Sequence, residues 1–411
     1  MQRRRNSVLA GFGNRDVAVV VGIALGGFTA AALGSNVLNN HRACLVGLCP
    51  EVVQIQEARQ QMLSGGPKGL TAQVKIFTEV LARNPASPYR WCDLGEAHLA
   101  EGEVEKARSC FAQAYRMGPN IPHTLIRIVS FHLRQNETVP MLRAAAHILS
   151  SCDAYDRLLF SYYDRLGVDT SQILRYGVPH EIRPAQSYLR HVMETAPPEQ
   201  AHQVWQWIYT GGFHDDELAG SYVAYLLRQK RHGLAADTWA EHIGHRRGKY
   251  RRGDYLFNGG FENELTQCPL DWRIREIRGA TVKRCDETVH SGSRSLRVDF
   301  LGTENLDYSH VGQTVCVDPG RLTFRIHVRT GGITTDQGIG FQITDAEVPS
   351  RLDERTERLC QSSDWQQLEL NFVVPAETRL LSVRMVRSPS WKFDNKIAGT
   401  VWIDDAAITK Q

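Results

Sequence analysis

Catalytic signatures are what this chain of 411 residues lacks. It holds no G-x-S-x-G elbow, no P-loop, no H-E-x-x-H helix and no complete G-x-G-x-x-G turn. The best-marked serine hydrolases, phosphate binders, zinc peptidases and dinucleotide enzymes are thereby excluded. Acidic clusters do occur, at Asp215-Asp216-Glu217 and Asp404-Asp405. Adjacent carboxylates at a helix start serve as caps, whereas glycoside hydrolysis needs two carboxylates facing each other across a cleft. The chain therefore reads as non-catalytic, with no catalytic residue to name. None of its nine cysteines stands in a CxxC pair, which removes zinc ribbons and thioredoxin-like motifs. A dominant charge is missing too. The net charge of +3 is too small to imply a nucleic-acid partner.

Hydrophobic residues make up 42% and charged residues 23%, which are globular values, and the length calls for two or three domains. From Val17 to Leu33 the chain reads VAVVVGIALGGFTAAAL, without charge or proline. At about 1.5 Å per residue this just spans a hydrocarbon core. Arg3, Arg4, Arg5 and Arg15 precede it and only Arg42 follows closely, so the positive-inside bias keeps the N-terminus cytoplasmic. Residues 1–40 are read as a basic tail and signal anchor, with cleavage after Ala30-Ala31-Ala32 as the alternative. The cysteines leave two readings open. Cys268, Cys285, Cys316 and Cys360 could make two disulfides in an oxidising compartment, and Cys44 with Cys49 another, or all are free thiols.

Residues 41–244 show helical periodicity. Trp91, Leu94, Gly95, Gly102, Ala107, Phe111, Ala114 and Pro119 stand at fixed offsets, and Phe77 and Pro85 precede Phe111 and Pro119 by 34 positions. This spacing resembles the tetratricopeptide repeat, with His98 at the family's tyrosine position. Gly95 and Ala107 would let paired helices approach, while Trp91, Leu94 and Phe111 fill their shared face. Further helices are predicted over 154–166, 185–194, 199–209, 216–228 and 234–242. The resemblance implies an all-α solenoid whose concave surface takes an unidentified protein partner, or which acts as a spacer. Residues 245–255, with five positive charges between His245 and Gly253, read as a solvated basic linker.

From residue 256 the period changes to two. Leu322, Phe324, Ile326 and Val328 alternate with polar residues, as do Leu296-Val298-Phe300, Ile339-Phe341-Ile343, Leu368-Leu370-Phe372 and Leu381-Val383-Met385. Short strands punctuated by Gly and Pro turns predict an all-β jelly-roll sandwich over 256–411. Asn258-Gly259-Gly260-Phe261-Glu262, Leu270-Asp271-Trp272, the run from His290 to Val298, Trp365 and Trp402-Ile403-Asp404-Asp405 together resemble carbohydrate-binding modules of the family 4 and 9 type, a galactose-binding-like jelly roll. Such modules occur on secreted bacterial polysaccharide-active proteins.

The resemblance implies a structural calcium held by the carboxylates of Glu262 and Asp404 with backbone oxygens of the turn at 290–293. The alternative is an ion pair between Asp404 and Arg294. Sugar recognition needs aromatic faces and polar partners. Tyr308 and Trp391, both in polar and exposed surroundings, and Trp272 are the aromatic candidates, with Asn305, Asp307, Gln342 and Arg384 as polar ones. Trp365 and Trp402 read as packing residues. The expectation is a multidomain, single-pass protein of a bacterial inner membrane, its bulk in the periplasm or outside. Its sandwich would hold polysaccharide and its solenoid a protein, in exopolysaccharide assembly or export. A scaffold that binds no sugar and a polysaccharide-active enzyme are the alternatives.

Overall fold

The structure, a computed structural model, describes residues 67–393 and 395–411. The segment Val17–Leu33 and the pair Cys44 and Cys49 lie outside the described residues. Among the described residues no helix is long and apolar enough to cross a membrane. The chain divides into two compact units, Met1–Ser151 and Cys152–Gln411.

Helices account for the described part of the first unit: α1 (Pro67–Arg83), α2 (Pro88–Ala100), α3 (Val104–Met117), α4 (Pro122–Arg134) and α5 (Thr138–Ser151). Pro88 and Pro122 open α2 and α4, where a missing N–H costs nothing. These two starts are 34 positions apart, as are Val104 and Thr138, the starts of α3 and α5. The turns repeat as well: Gly102 and Asn136 both take left-handed backbone, at φ 81° and 58°. Gly95 is packed against Phe111, whose ring lies 3.0 Å from where a Cβ would stand. Phe111 in turn stacks on Phe131 at 4.6 Å. Leu94 and Phe111 are buried as expected, whereas Trp91 is half-buried and donates to Pro85 O at 2.8 Å.

In the second unit a helical layer comes first: α6 (Asp156–Leu166), α7 (Ile182–Thr195), α8 (Pro198–Gly211), α9 (Asp216–Arg228) and α10 (His232–Ile243). Asp215 caps α9 by accepting from Leu218 N at 2.7 Å, which is the capping role its cluster suggested. The segment 245–255 is not a solvated linker. Arg246 grips Asp216 of α9 through two bonds of 2.6 and 2.8 Å, and Arg251 grips Asp237 of α10 at 2.9 Å. Tyr250 is buried, with its ring 5.7 Å from Phe257. Arg246 and Arg251 find carboxylates on the helices while Lys249 and Arg252 stay exposed, so the segment is a packed seam with part of its charge in water.

Ten strands follow: β1 (Arg273–Ile274), β2 (Ala280–Cys285), β3 (Ser295–Leu301), β4 (Tyr308–Cys316), β5 (Gly320–Gly331), β6 (Gly340–Asp345), β7 (Asp353–Arg355), β8 (Ser363–Val374), β9 (Leu380–Arg387) and β10 (Ala398–Lys410). They form two five-stranded sheets, ordered β1-β4-β9-β6-β7 and β2-β3-β10-β5-β8. Every strand pair within them is antiparallel. The alternating residues supply the core: Phe324, Ile326 and Val328 of β5 are buried with Phe341 and Ile343 of β6 and Val383 and Met385 of β9. All seven described cysteines are free thiols. Burial pushes the Cys92 and Cys316 thiols up to about 12.

Candidate functional site

Glu262 and Asp404 both bond the turn between β2 and β3. Glu262 Oε1 accepts from the backbone N of Ser293 at 2.7 Å and of Arg294 at 3.1 Å, and Oε2 accepts from Ser293 Oγ at 2.5 Å. Asp404 Oδ2 accepts from the backbone N of His290 at 2.9 Å and of Ser291 at 3.2 Å. The ion pair between Asp404 and Arg294 does not form, because Arg294 reaches Asp286 at 3.1 Å. Asp404 is fully buried, and burial pushes its carboxyl up to about 6.

Gly260 faces this group. A Cβ there would stand 3.7 Å from both Asp404 Oδ1 and Asp405 Oδ1 and 3.8 Å from Glu262 Cγ. The 290–294 turn directs backbone N–H groups at these carboxylates, not the carbonyl oxygens that the resemblance implies, so a hard cation such as calcium would have to displace those bonds. Glu262 and Asp404 are the residues that would hold it, where it would fasten the first segment of the sandwich to the last strand.

Two aromatic candidates are in the core. Trp272 is buried against Phe261, ring centroids 5.1 Å apart, and its Nε1 donates to Asn258 O at 3.1 Å. Tyr308 is a correction to the expected exposed loop residue: it opens β4, is 1% exposed and meets Phe300 edge-on at 5.2 Å. The reason is a register shift between Tyr308 and Val311, which turns Tyr308 onto the same inner face as Val311 and Val315. Arg384 lies elsewhere, half-buried on the outer face of the first sheet between Gly312 of β4 and Gln342 of β6. Its Nε donates to Ser382 Oγ at 3.0 Å. Gln342 donates to Asp353 at 2.7 Å on the same sheet. Trp365 and Trp402 are half-buried, Trp402 lying near the guanidinium groups of Arg297 and Arg329 at 5.6 and 5.7 Å.

Asn305 and Trp391 are brought together. Asn305 Nδ2 donates to Ser390 O at 2.9 Å, and Ser390 N donates back to Asn305 Oδ1 at 3.0 Å. Ser390 Oγ bonds Asp336 at 2.6 Å and accepts from Lys392 N at 3.1 Å. Beneath them sits Arg387, 1% exposed. Its Nη1 donates to Asn305 Oδ1 at 2.9 Å and to Leu306 O, and its Nη2 to Asn395 O at 2.8 Å. On top, Trp391 and Phe393 are exposed at 100% and 106% of their reference areas. Large apolar side chains left wholly in water on a fastened loop are the informative exception to burial.

No protein-family model matches the chain, and no curated protein does. Solved structures do match, over the sandwich. One is TmCBM61 in complex with beta-1,4-galactotriose, at 17% identity, covering 38% of this chain and 99% of that one, with a TM-score of 0.27. Another is the CBM22-1 xylan-binding domain of Xyn10C from Paenibacillus barcinonensis, at 16% identity, 39% and 97% coverage and a TM-score of 0.27. A CBM4 structure matches at 15% identity, 38% and 99% coverage and a TM-score of 0.28. Two residues of the sandwich escaped the sequence reading. Phe393 was readable as the second aromatic in Trp391-Lys392-Phe393. Arg387 was readable from strand parity, since it shares the inner face of β9 with Leu381, Val383 and Met385.

Proposed function

We propose that the sandwich binds a polysaccharide without cleaving it, through the loop that carries Trp391 and Phe393. The observation behind this reading is the pair of fully exposed aromatic rings on a loop held from below by buried Arg387. Aromatic faces stack on the apolar faces of pyranose rings, and a pre-fastened loop loses little freedom on binding. Asn305 positions the loop. Arg384 and Gln342 belong to the neighbouring sheet face and offer donors to a chain that extends across it. Tyr308 and Trp272 serve the core.

The remaining parts of the reading concern partners and place. The 34-position recurrence of helix starts and turns supports taking α2–α5 as tetratricopeptide-like pairs, whose surface receives a protein partner. The apolar stretch at 17–33 anchors the chain in a bacterial inner membrane, with the units in the periplasm or outside. Together these make a binding scaffold in exopolysaccharide assembly or export.

The purified full chain applied to a glycan array is expected to retain one class of polysaccharide. Trp391→Ala combined with Phe393→Ala should weaken retention at least tenfold while the melting temperature holds, because fully exposed side chains contribute within about 0.5 kcal/mol to stability. Retention unchanged by the pair refutes this site. Silence of the unmodified chain on all glycans favours a scaffold that binds no sugar.

Calcium at Glu262 and Asp404 belongs to the same proposal. Chelation should lower the melting temperature, and calcium should restore it. A site filled at about a hundred times its Kd contributes about 2.7 kcal/mol. Identical melting in chelator and in calcium would remove the ion from the proposal.

A further inference from the structure

In the helical layer of the second unit, four side chains form a chain of polar bonds that the sugar-binding reading does not use. Arg246, just past α10, holds Asp216 at the start of α9 through its two bonds of 2.6 and 2.8 Å. Asp216 Oδ1 also meets His242 Nε2 of α10 at 2.7 Å. The other ring nitrogen, His242 Nδ1, lies 3.0 Å from Nδ1 of His214 in the turn between α8 and α9. Both rings are fixed by aromatic neighbours. His242 stacks on Trp239 with its side chain 4% exposed, and His214 stacks on Tyr209, centroids 4.9 Å apart and planes within 16°.

The protons of this chain can be counted. The Arg246 guanidinium, and then His242, hold the Asp216 carboxyl well below the usual carboxylate range, so it remains an acceptor and His242 Nε2 carries a hydrogen. A bond between two imidazole nitrogens needs one hydrogen, from either side. With both rings neutral, His214 donates and His242 accepts. One added proton preserves the bond: His242 becomes an imidazolium facing Asp216 and donates to His214. A second added proton puts a hydrogen on both facing nitrogens, and the bond cannot form. Burial, and then the charge of His242, hold His214 below its ordinary range, against the opposing pull of Asp215 and Asp216. Of the outlying charges, Arg190 acts on Asp215, Glu241 on Tyr209 and Asp271 on Arg246.

We propose that His214 and His242 form an acid-sensitive latch, in which uptake of a second proton releases the turn between α8 and α9 from the end of α10. Arg246 keeps its hold on Asp216 throughout, so the seam stays in place while the corner opens. The released turn remains hinged on α7, where Gln186 donates to Phe213 O at 3.1 Å and to Asp215 Oδ2 at 2.9 Å. The sign follows from the neutral form that the fold prefers at His214. The latch contributes its full stability above the ordinary histidine value and loses it as pH falls from there toward the depressed value of the folded chain.

The test compares the full chain with His214→Gln, whose amide can donate to His242 Nδ1 but takes up no proton. Both are unfolded in urea at a series of pH values. Between about pH 7.5 and about pH 5.5 the unfolding constant of the unmodified chain should rise roughly threefold or more beyond the rise seen in the variant. Amide exchange across 211–216, corrected for its intrinsic pH dependence, should quicken over the same range in the unmodified chain alone. Equal pH dependence of the two chains in both measurements overturns the proposal. If His214→Gln fails to fold, the ring nitrogen resonances of the unmodified chain decide. Proton uptake by the pair in two separate steps, with the contact between the rings lost at the lower one, supports the latch; a contact that persists through both steps overturns it.

Discussion

Gly259→Ala is expected to stop the sandwich from closing. A Cβ at that position would stand 1.8 Å from Ala406 O, 2.8 Å from its carbonyl carbon and 3.2 Å from its nitrogen. All three obstacles are backbone atoms of β10, so no side chain can swing aside. The two residues are also joined, Ala406 N donating to Gly259 O at 3.0 Å. Moving apart to admit the methyl breaks that bond. Its neighbours have little room to compensate, since Asn258 and Phe261 already hold left-handed backbone, at φ 53° and 55°. Overpacking of about 3 kcal/mol and a lost bond of about 1 kcal/mol give roughly 4 kcal/mol. Gly260→Ala, whose methyl meets nothing closer than 3.7 Å, is the control. Urea unfolding of both variants in chelator should separate their midpoints clearly, and coincident midpoints would refute the close approach.

Arg387→Met is expected to damage both stability and ligand retention. Methionine keeps the apolar stem and removes every donor. Asn305 Oδ1, Leu306 O and Asn395 O then lose the guanidinium that they share. A buried acceptor left unsatisfied costs about 1–3 kcal/mol, so the total is roughly 3 kcal/mol after partial rescue by water. Burial already pulls the Arg387 guanidinium below its ordinary pKa, which marks how far it is taken from water. The same change frees the loop of Trp391 and Phe393 from its floor. Glycan retention should fall about tenfold or more, with faster amide exchange across 388–397. Slow exchange in a Met variant that still retains glycan would show that the loop holds itself.

The sandwich was legible because period two is a strong signal. The runs in β3, β5, β6, β8 and β9 each repeat one face, and a face can be read without knowing its partner. The helical character of the region before it was legible for the same reason, since its apolar residues keep the helical period. Tyr308 was not, because a register shift reverses the face and leaves no mark in composition. The seam at 245–255 was not either. Its arginines look solvated until Asp216 and Asp237 are brought beside them from elements that sequence distance keeps apart. Arg387 shows the opposite failure. Strand parity puts it inside and its charge argues for outside; the carbonyls of Leu306 and Asn395 decide for parity.

That seam has a mechanical meaning. If a long polymer is held at Trp391 and Phe393, tension along it enters the last strands of the sandwich. A slack tether at 245–255 would let the sandwich swivel and absorb the pull. Here the strand-to-helix path runs through Tyr255 N to Ile408 O at 2.9 Å, the Tyr250 and Phe257 rings, and the grip of Arg246 on Asp216. Tension there would reach α9 and α10 through these bonds and ring contacts, not through a free tether.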